Sequence, residues 1–506
     1  MVSRRLNRAE DQGQALKPLA YRKRKTVVYH ERNGSPALVL HFPLKAIVLS
    51  PSWKIVLNLL SKGEFIPFEN IAPLVEHANP EKIEIFLDNL VRKGYLEREG
   101  VSTIHDYPFV SIIIAVRNRP EAIKACLQSL LEVNYPSDKT EIIVVDDAST
   151  DHTPDVVSTF PVQLISLKEN KKAPFCRNLA AQRANGDIFG FIDSDCLADT
   201  LWLKELIPVF KDGSVGAVGG MVDAYSKEKA LDRYEKVYSS LHMGSWFRRS
   251  SENDRFFYVP ACNLFVRRDL FLSMEGFKEE LIVGEDVDFC WRLQDKGHIL
   301  EYRPIGKVYH KHRNRLKPFC LRRFDYGTSE PLLHLLHPRR LKEMIFLPGE
   351  SLFWSVVVLS VILKSVPVLG VSGMIVLADT LIKFVRMRRT TIPIGFIYTL
   401  FAVLRSYAAF FYHFCAFVSR YYLILGILTI PLLPLFSMII LGIHLLIVSV
   451  DYFIKKPRLN PISFLLFFSL EQLSYQLGVW WGCFKHFSFN SVNPRVIFRA
   501  SLRSIK

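Results

Sequence analysis

The feature that most constrains this chain is a run of thirty residues, 421–450, that contains no charged side chain. As one helix, rising about 1.5 Å per residue, the run would be about 45 Å long, whereas the hydrocarbon core of a bilayer is about 30 Å thick. It therefore predicts either one tilted membrane span or a hairpin broken around Pro431 and Pro434. Core helices of soluble proteins do not stay uncharged over such a length, so we expect membrane association.

The uncharged run belongs to a longer apolar tail. Residues 346–454 contain only ten charged side chains, although charged residues make up 23% of the whole chain. Further candidate spans lie at roughly 347–384, 392–415 and 461–484. The last of these carries Glu471, Gln472 and Gln476, so an interfacial position is an alternative to a true span.

Basic residues flank the hydrophobic segments of the tail. They are Arg386, Arg388 and Arg389 in one loop, and Lys455, Lys456 and Arg458 in another. Under the positive-inside rule both loops should face the cytoplasm, which requires an even number of crossings between them. We therefore predict a protein of the cell membrane, in contact with membrane lipid, whose non-membrane part faces the cytoplasm.

The rest of the chain is basic, with a net charge of +16 overall. The first 25 residues hold eight Lys and Arg, and we interpret residues 1–36 as a basic arm, either solvated or attracted to an anionic membrane surface. An aromatic content of 12% excludes a disordered chain. The eight cysteines occur singly, which is typical of a reducing compartment and argues against a disulfide framework.

Residues 37–104 form a small unit of their own. Asn79 and Pro80 begin a helix with apolar residues at helical spacing, and a short strand follows it. Three short helices with a terminal strand pair predict a winged helix, whose usual ligand is DNA. The candidate recognition helix, 69–77, has two glutamates and no Lys or Arg, so we expect no nucleic-acid partner and favour a peptide- or protein-docking module.

The middle of the chain, 108–310, alternates short apolar runs with helical patterns. The apolar runs are 110–116, 142–145, 162–165, 188–192 and 215–218, and the helical segments lie near 120–132, 151–159, 173–185 and 200–210. This order predicts βαβ units and a mainly parallel sheet, in which ligands bind at the carboxyl ends of the strands.

Acidic residues follow the predicted strands. Asp146 and Asp147 end one strand, Asp193 and Asp195 follow another, and Glu285 and Asp286 come after a glycine further on. One aspartate at a strand end is often only a turn former. Acidic residues at successive strand ends are harder to explain in this way, and carboxylates two residues apart at one strand end suit a hard divalent cation, Mg²⁺ or Mn²⁺, that also binds substrate phosphates. Such an ion would neutralise a diphosphate leaving group.

In this order the motifs resemble those of the inverting family 2 glycosyltransferases, which have the GT-A nucleotide-sugar fold. The resemblance covers about residues 107–330. It rests on 108–114 leading to Arg117-Asn118-Arg119, on Asp146-Asp147-Ala148-Ser149, on Arg177-Asn178, on Gly186-Asp187 before Asp193-Ser194-Asp195, and on Gly284-Glu285-Asp286. The ordered set is specific, although no single motif is.

The resemblance implies a UDP-sugar donor and a role for each matched residue. Asp146 and Asp147 would meet the uracil and ribose, and Asp193 would lie nearer the sugar or ribose. Asp195 would bind the metal on the diphosphate, with His310 as a further metal or phosphate ligand or as an ordinary strand-end histidine. Asp286, preceded by Glu285, would be the general base. The remaining donor-site candidates are Asn118 and the cations Arg117, Arg119, Arg177 and Arg313.

The chain lacks one motif of related processive synthases, and this limits the number of sugars that we expect it to transfer. The stretch that corresponds to their QxxRW motif has neither the Gln nor the Trp and reads Phe319-Cys320-Leu321-Arg322-Arg323-Phe324-Asp325-Tyr326-Gly327. A polymer synthase is therefore disfavoured, and transfer of one or a few sugars is expected.

The order of the parts resembles the mycofactocin-system glycosyltransferases over essentially the whole chain. That order is a PqqD-like winged helix over 37–104, an α/β catalytic domain of GT-A fold over 105–335, and a membrane-associated helical region over 336–506. The resemblance implies transfer of a hexose, glucose by this analogy, to premycofactocin, a redox cofactor derived from a peptide. A family 2 enzyme acting on a lipid or cell-wall glycan is the alternative. An inactive peptide-binding scaffold and a DNA-binding regulator are disfavoured by the intact acidic set and the acidic helix.

Overall fold

A computed structural model describes residues 17–498 except 33, 42–43, 76–77, 102–105, 227, 251–255, 313 and 389–393. Residues 1–16 of the predicted basic arm and Arg313 lie outside the described residues. The described chain contains a small N-terminal module, an α/β domain and a group of long C-terminal helices, taken below in that order.

The N-terminal module consists of two three-stranded sheets and three helices around one apolar core that includes Tyr21, Leu38, Leu57 and Leu87. Its elements are β1 (Ala20–Lys23), β2 (Val27–Arg32), β3 (Ser35–His41), β4 (Leu44–Val48), α1 (Lys54–Leu60), β5 (Ile66–Pro67), α2 (Phe68–Ile71), α3 (Pro80–Arg92) and β6 (Leu96–Glu99). The helix predicted at Asn79 is present, because the Asn79 side chain accepts a hydrogen bond from the backbone of Glu81 at 2.8 Å.

The structure bears on two predictions for this module. Strands β1 and β2 fall within the predicted basic arm, yet they pack into the core, so the module begins before residue 37. Strand β1, near the start of the described chain, is the central strand of its sheet. It pairs with β6 on one edge and with β5 on the other. Because β1 takes the place expected for a second terminal strand, the winged-helix assignment is not confirmed.

The module is docked on the α/β domain through α3. Asp88 accepts a hydrogen bond from Arg303 at 3.2 Å, and Arg92 lies 3.0 Å from Glu301. Asp88 also binds Tyr21 at 2.8 Å and the guanidinium of Arg98. Burial would raise the pKa of Asp88, but Arg98 and Arg303 overcome that effect and hold the pKa below its ordinary value.

The α/β domain contains an eight-stranded sheet, as the alternating pattern predicts. Its first half has the elements β7 (Val110–Val116), α4 (Pro120–Leu131), β8 (Thr140–Asp146), α5 (Thr153–Ser158), β9 (Gln163–Ser166), α6 (Lys172–Arg183), β10 (Ile188–Ile192), β11 (Cys196–Ala198), α7 (Trp202–Leu206), β12 (Val215–Gly219) and β13 (Val222–Ala224). Its second half has α8 (Ala230–Tyr238), β14 (Arg248–Arg249), β15 (Asn263–Arg267), α9 (Arg268–Ser273), α10 (Glu285–Asp295), β16 (Ile299–Tyr302), β17 (Val308–His310) and α11 (Leu316–Leu336).

The strand order in this sheet is β14-β16-β12-β15-β10-β7-β8-β9. Strands β10, β7, β8 and β9 are parallel, and β15 is antiparallel to both of its neighbours. Side chains alternate between two cores, since Ile112 and Ile114 pack on one face and Ile113 on the other. A smaller sheet, β11-β17-β13, brings His310 beside Cys196. The mixed, mostly parallel sheet agrees with the predicted GT-A class.

The C-terminal region contains a two-stranded parallel sheet and five helices. They are β18 (Glu343–Phe346), α12 (Pro348–Ile362), α13 (Val366–Arg388), α14 (Phe396–Leu428), α15 (Pro434–Lys455), α16 (Pro461–His486) and β19 (Arg495–Phe498). In the described chain, α13, α14 and α15 are long and apolar enough to cross a membrane. These helices are compatible with membrane association.

The structure distinguishes the two predictions for the uncharged run, a single tilted helix and a hairpin. The run 421–450 is a hairpin, because α14 ends before Pro431 and α15 begins at Pro434. The candidate span 347–384 is divided into α12 and α13.

Helix α16 packs on α11 of the α/β domain. Gly327 and Gly478 meet at the contact, where a Cβ added to Gly478 would overlap the carbonyl oxygen of Phe324. Glu471 and Gln476 of α16 are both buried. The polar residues that made 461–484 ambiguous therefore face protein.

Candidate active site

The predicted site residues follow neighbouring strands of the large sheet. Strands β10, β7 and β8 lie side by side and parallel, so the residues after them share one edge. Asp193 follows β10, Arg117 follows β7, and Asp146 ends β8. Asp146 and Asp193 therefore lie at the edge of the sheet where the sequence predicts a binding site.

Asp146 and Asn118 hold two loops of this edge together. Asp146 is buried and accepts hydrogen bonds from the backbone and the hydroxyl of Ser149. Asn118, which adopts a left-handed backbone with φ of 50°, donates from its backbone to the same hydroxyl at 2.9 Å and accepts from the backbone of Thr150 at 2.8 Å. Arg117 lies beside them with an exposed side chain.

The side-chain oxygens of Asp147 both accept hydrogen bonds from backbone amides. It accepts hydrogen bonds from the N–H groups of Lys171 at 2.6 Å and Lys172 at 3.0 Å, where α6 begins. A carboxylate at the start of a helix is stabilised by the helix dipole. In this arrangement Asp147 positions α6, and α6 carries Arg177.

Arg177 joins two acidic motifs that are far apart in sequence. Its side chain is buried, and its guanidinium lies 2.6 Å from Asp193 and 2.7 Å from Glu285. Burial would raise the pKa of Asp193, but Arg177 and His310 overcome this and hold it below its ordinary value. Burial and the neighbouring Asp286 raise the pKa of Glu285 to about 7, despite Arg177.

Asp286 lies in the first turn of α10, after Gly284, whose φ of 86° is a conformation that glycine adopts readily. Its two oxygens accept backbone hydrogen bonds from Ala261 at 3.1 Å and Val287 at 2.8 Å. Burial raises its pKa. A carboxylate with a raised pKa, fixed by backbone donors, is suited to accept a proton.

Asp195 and His310 form a possible ligand pair beside Cys196. One Asp195 oxygen lies 3.5 Å from His310 Nε2, and the other accepts a hydrogen bond from Arg119. Together with Cys196 they form the group that could hold an ion in the described chain. Burial and a hydrogen bond with Cys262 raise the pKa of the Cys196 thiol well above its ordinary value, so Cys196 is a poor ligand for a hard cation.

Two adjoining cavities lie on either side of Asp193. The smaller, about 110 Å³, is lined by Arg119, Asp195 and His310. The larger, about 410 Å³, is lined by Arg177, Glu285 and Asp286. Asp193, Ser240, Leu241, Arg322, Arg323 and Tyr326 line both cavities. The predicted metal residues and the predicted base thus face two connected spaces.

Several residues of these walls lie outside the set predicted from the sequence. Arg322 and Arg323 were noted only because the QxxRW motif is missing, yet two adjacent arginines after the base motif were themselves a signal. The far wall of the larger cavity comes from α14 and α16, through Arg420 and Tyr475 among others. Nothing local in those helices indicates that they meet the α/β domain.

Arg323 anchors the wall between the two cavities. Its guanidinium lies 2.7 Å from Glu235 of α8 and 3.4 Å from Glu471 of α16. Burial raises the pKa of Glu235 to about 7, although Arg323 opposes this effect.

Comparison with known proteins defines the class of the chain. Residues 111–272 match the family model for glycosyl transferase family 2. The chain is 25% identical over 399 residues to the pre-mycofactocin glycosyltransferase of Mycobacterium tuberculosis strain H37Rv. The aligned region covers 76% of this chain and 82% of the relative. It is 30% identical over 221 residues to glycosyltransferase AglE of Haloferax volcanii, covering 40% of this chain and 70% of the relative.

Some solved structures also resemble part of the chain, with low identity and weak overall overlap. Staphylococcus aureus TarS 1–349 in complex with UDP is 20% identical and covers 45% of this chain and 64% of its own, with a TM-score of 0.36. A Pyrobaculum calidifontis mannosyltransferase in complex with GDP-Man and Mn²⁺ is 18% identical. The match covers 60% of this chain and 88% of the mannosyltransferase chain, with a TM-score of 0.35. The assignment rests on the sequence relatives and the family model. The chain is a glycosyltransferase, and it belongs to glycosyl transferase family 2.

Proposed function

We propose that this enzyme transfers a hexose from a UDP-sugar to a hydroxyl of premycofactocin, adding one or a few sugars with inversion. The observation that carries the proposal is the position of Asp286 and Asp193. Asp286 lines the larger cavity only, whereas Asp193 lines both. The smaller cavity would hold the donor diphosphate and the larger one the acceptor. The name of the pre-mycofactocin relative supports the acceptor. Glucose is the sugar that the resemblance noted in the sequence implies.

The donor would lie along the carboxyl edge of the sheet. Asp146 and Asp147 are the proposed contacts to uracil and ribose, with Arg117 and Asn118 beside them. Since the oxygens of Asp147 already bind backbone amides, its contribution would be to the shape of the pocket and its negative charge. Arg177 would keep Asp193 ionised beside the sugar.

A divalent cation, Mg²⁺ or Mn²⁺, fits the residues near the diphosphate. A carboxylate and an imidazole are ligands that Mn²⁺ accepts, and His310 Nδ1 is buried without a hydrogen-bond partner among the described residues. Asp195 and His310 would hold the ion, which supplies positive charge to the leaving diphosphate. Arg119, bound to Asp195, adds a second positive charge there.

The chain's own residues would then carry the proton. Asp286 accepts the proton of the acceptor hydroxyl as that oxygen bonds to the anomeric carbon and the bond from that carbon to the diphosphate breaks. The backbone donors at Ala261 and Val287 fix the carboxylate, so it need not reorient during the reaction. No covalent sugar–enzyme bond is required.

Replacing the base tests this mechanism. We expect Asp286→Asn to lower transfer from UDP-glucose by about 10²–10⁴-fold, the usual contribution of a general base, while UDP affinity is unchanged. Asp269→Asn, an exposed carboxylate on α9, is the matched control. Turnover by Asp286→Asn equal to that of the control would refute the base assignment. Transfer from GDP-mannose but not UDP-glucose would refute the donor.

A lipid or cell-wall glycan acceptor is the second candidate. The observation that favours it is the wall of the larger cavity, which α14, a candidate span, helps to build. A beta-monoglucosyldiacylglycerol synthase of Nostoc is 27% identical over 195 residues, covering 37% of this chain and 41% of the relative. Competition between premycofactocin and diacylglycerol for radiolabelled glucose decides between the two: the acceptor with the higher kcat/KM is the substrate.

We further propose that the catalytic domain faces the cytoplasm. The ammonium group of Lys455, at the basic end of α15, lies 3.4 Å from the ring centre of Tyr238 in α8. Tyr238 also donates a hydrogen bond to Asp451. The domain therefore lies at the basic end of the hairpin, which the positive-inside rule assigns to the cytoplasm. Protease protection of the domain in sealed inverted vesicles would refute this orientation.

The N-terminal module would bind a peptide or protein, and no nucleic acid. Its α3 is already engaged by the catalytic domain through Asp88 and Arg92, and His41 of β3 stacks on Tyr398 of α14, so a partner would bind elsewhere on the module. Such a partner would be held close to the transferase. A pull-down with the full chain and its Asp88→Asn variant tests whether this docking matters for partner binding.

A further inference from the structure

Arg420 is a charged residue in an apolar helix. Helix α14 runs over Phe396–Leu428 and contains two charged side chains, Arg405 and Arg420. Arg405 is exposed, whereas Arg420 lines the larger cavity. An arginine in a membrane helix is costly, and such residues commonly face a water-filled space or a partner and mark a ligand pathway.

The contacts of Arg420 leave most of its hydrogen-bonding capacity unused. Its Nη1 donates to Gln472 Oε1 at 3.1 Å, and its guanidinium lies 3.6 Å from the ring centre of Tyr475. A guanidinium has five N–H donors. In the part of the chain that the structure describes, none of the ion pairs within 4 Å includes Arg420.

The carboxylates on the same wall are already bonded. Glu330 accepts from Lys342 and from the hydroxyl groups of Tyr421 and Tyr475. Glu471 accepts from Tyr234 at 2.6 Å and lies 3.4 Å from Arg323. Arg420 is therefore held in place by an amide and an aromatic ring, while its remaining donors have no carboxylate of the described chain to bind.

We propose that Arg420 binds an anionic group of the acceptor, a carboxylate or a phosphate. The ring of Tyr475 fixes the plane of the guanidinium, which suits the two-pronged hydrogen bonding that carboxylates and phosphates make with arginine. The acceptor hydroxyl would lie at Asp286, in the same cavity. The proposal rests on the proposed function, because it takes this cavity as the acceptor site.

The test measures binding to the purified full chain in detergent. The probes are dodecanoate, dodecyl phosphate and methyl dodecanoate, which share a chain length and differ in charge, titrated calorimetrically in the presence of UDP. We expect at least one anion to bind ten-fold or more tightly than the neutral ester, and the better anion identifies the acceptor group. Arg420→Gln should remove this preference, while Arg405→Gln, on the same helix, should retain it.

Several outcomes would overturn the proposal. One is equal affinity for the anions and the ester in the parent protein, and another is an undiminished preference in Arg420→Gln. UDP affinity measured in each variant shows whether the site is intact. If Arg420→Gln does not fold, Arg420→Lys, which keeps the charge but not the planar fork, should show a reduced preference. Failure of the proposed function is recognised separately, since it leaves turnover unchanged in Asp286→Asn.

Discussion

Replacing Arg177 with methionine would remove the charge that joins the two acidic motifs while keeping a side chain of similar length. The guanidinium lies 2.6 Å from Asp193 and 2.7 Å from Glu285, and its side chain is only 6% exposed. Removing one partner of a buried ion pair costs about 3–5 kcal/mol, because the other charge is left uncompensated. In a domain of this size each 1 kcal/mol moves the melting midpoint by about 2–4 °C, so we expect a fall of about 6–20 °C.

The loss should depend on pH. Arg177 holds the pKa of Asp193 below its ordinary value, so this stabilisation is present above the unfolded-state pKa and is lost as pH falls through the folded-state pKa. Glu285 has a raised pKa of about 7, so the free-energy cost of ionising it in the fold grows as pH rises from its unfolded-state pKa through about 7, and this cost is larger without Arg177. The deficit of Arg177→Met should therefore be largest above pH 7 and shrink as the solution is acidified.

The buried cysteines provide the assay. Cys126, Cys176, Cys196, Cys262 and Cys290 are all buried in the α/β domain, so a thiol-reactive dye reports its unfolding on heating. Arg183→Met, an exposed arginine in the last turn of the same helix, is the control. A midpoint for Arg177→Met within 2 °C of that control at pH 8 would show that the ion pairs do not hold the two motifs together.

Two further predictions concern the base and the helix contact. Glu285→Gln removes a negative charge beside Asp286 and should lower the pKa of Asp286, so the acid limb of the pH profile of kcat/KM should move to lower pH. An acid limb that stays in place or moves to higher pH would contradict the coupling of the two carboxylates. Gly478→Ala should lower both the melting midpoint and transfer, because the new methyl group would overlap the carbonyl of Phe324. Gly373→Ala, with open space around it, should be neutral or stabilising, and equal effects of the two substitutions would refute the close contact.

The large sheet and its acidic edge were predictable because their signals are local. Residues 110–116 and 188–192 are apolar runs of strand length, and both are the strands that the structure contains. Parallel strands bring their carboxyl ends to one edge, so Asp146 and Asp193 could be placed together without knowing any contact.

The parts that were missed depend on contacts between distant segments. Strand β1 pairs with β6 across most of the N-terminal module, and no pattern around Ala20 indicates that partner. Likewise, Glu471 signals only that α16 avoids lipid, and its bonds to Arg323 and Tyr234 follow from tertiary packing. The hairpin at Pro431 was one of two alternatives, because periodicity and length cannot distinguish one long helix from two short ones.

The contact between α11 and α16 means that the hydrophobic tail is more than an anchor. Its helices complete the larger cavity, so a fragment ending near residue 345 would keep the sheet edge at which the donor is proposed to bind but lose one wall of the cavity beside Asp286. Exchanging the tail for an unrelated set of apolar helices would have the same effect. Under the proposed function, donor preference depends on the α/β half of the chain, whereas acceptor preference depends on substitutions in both halves.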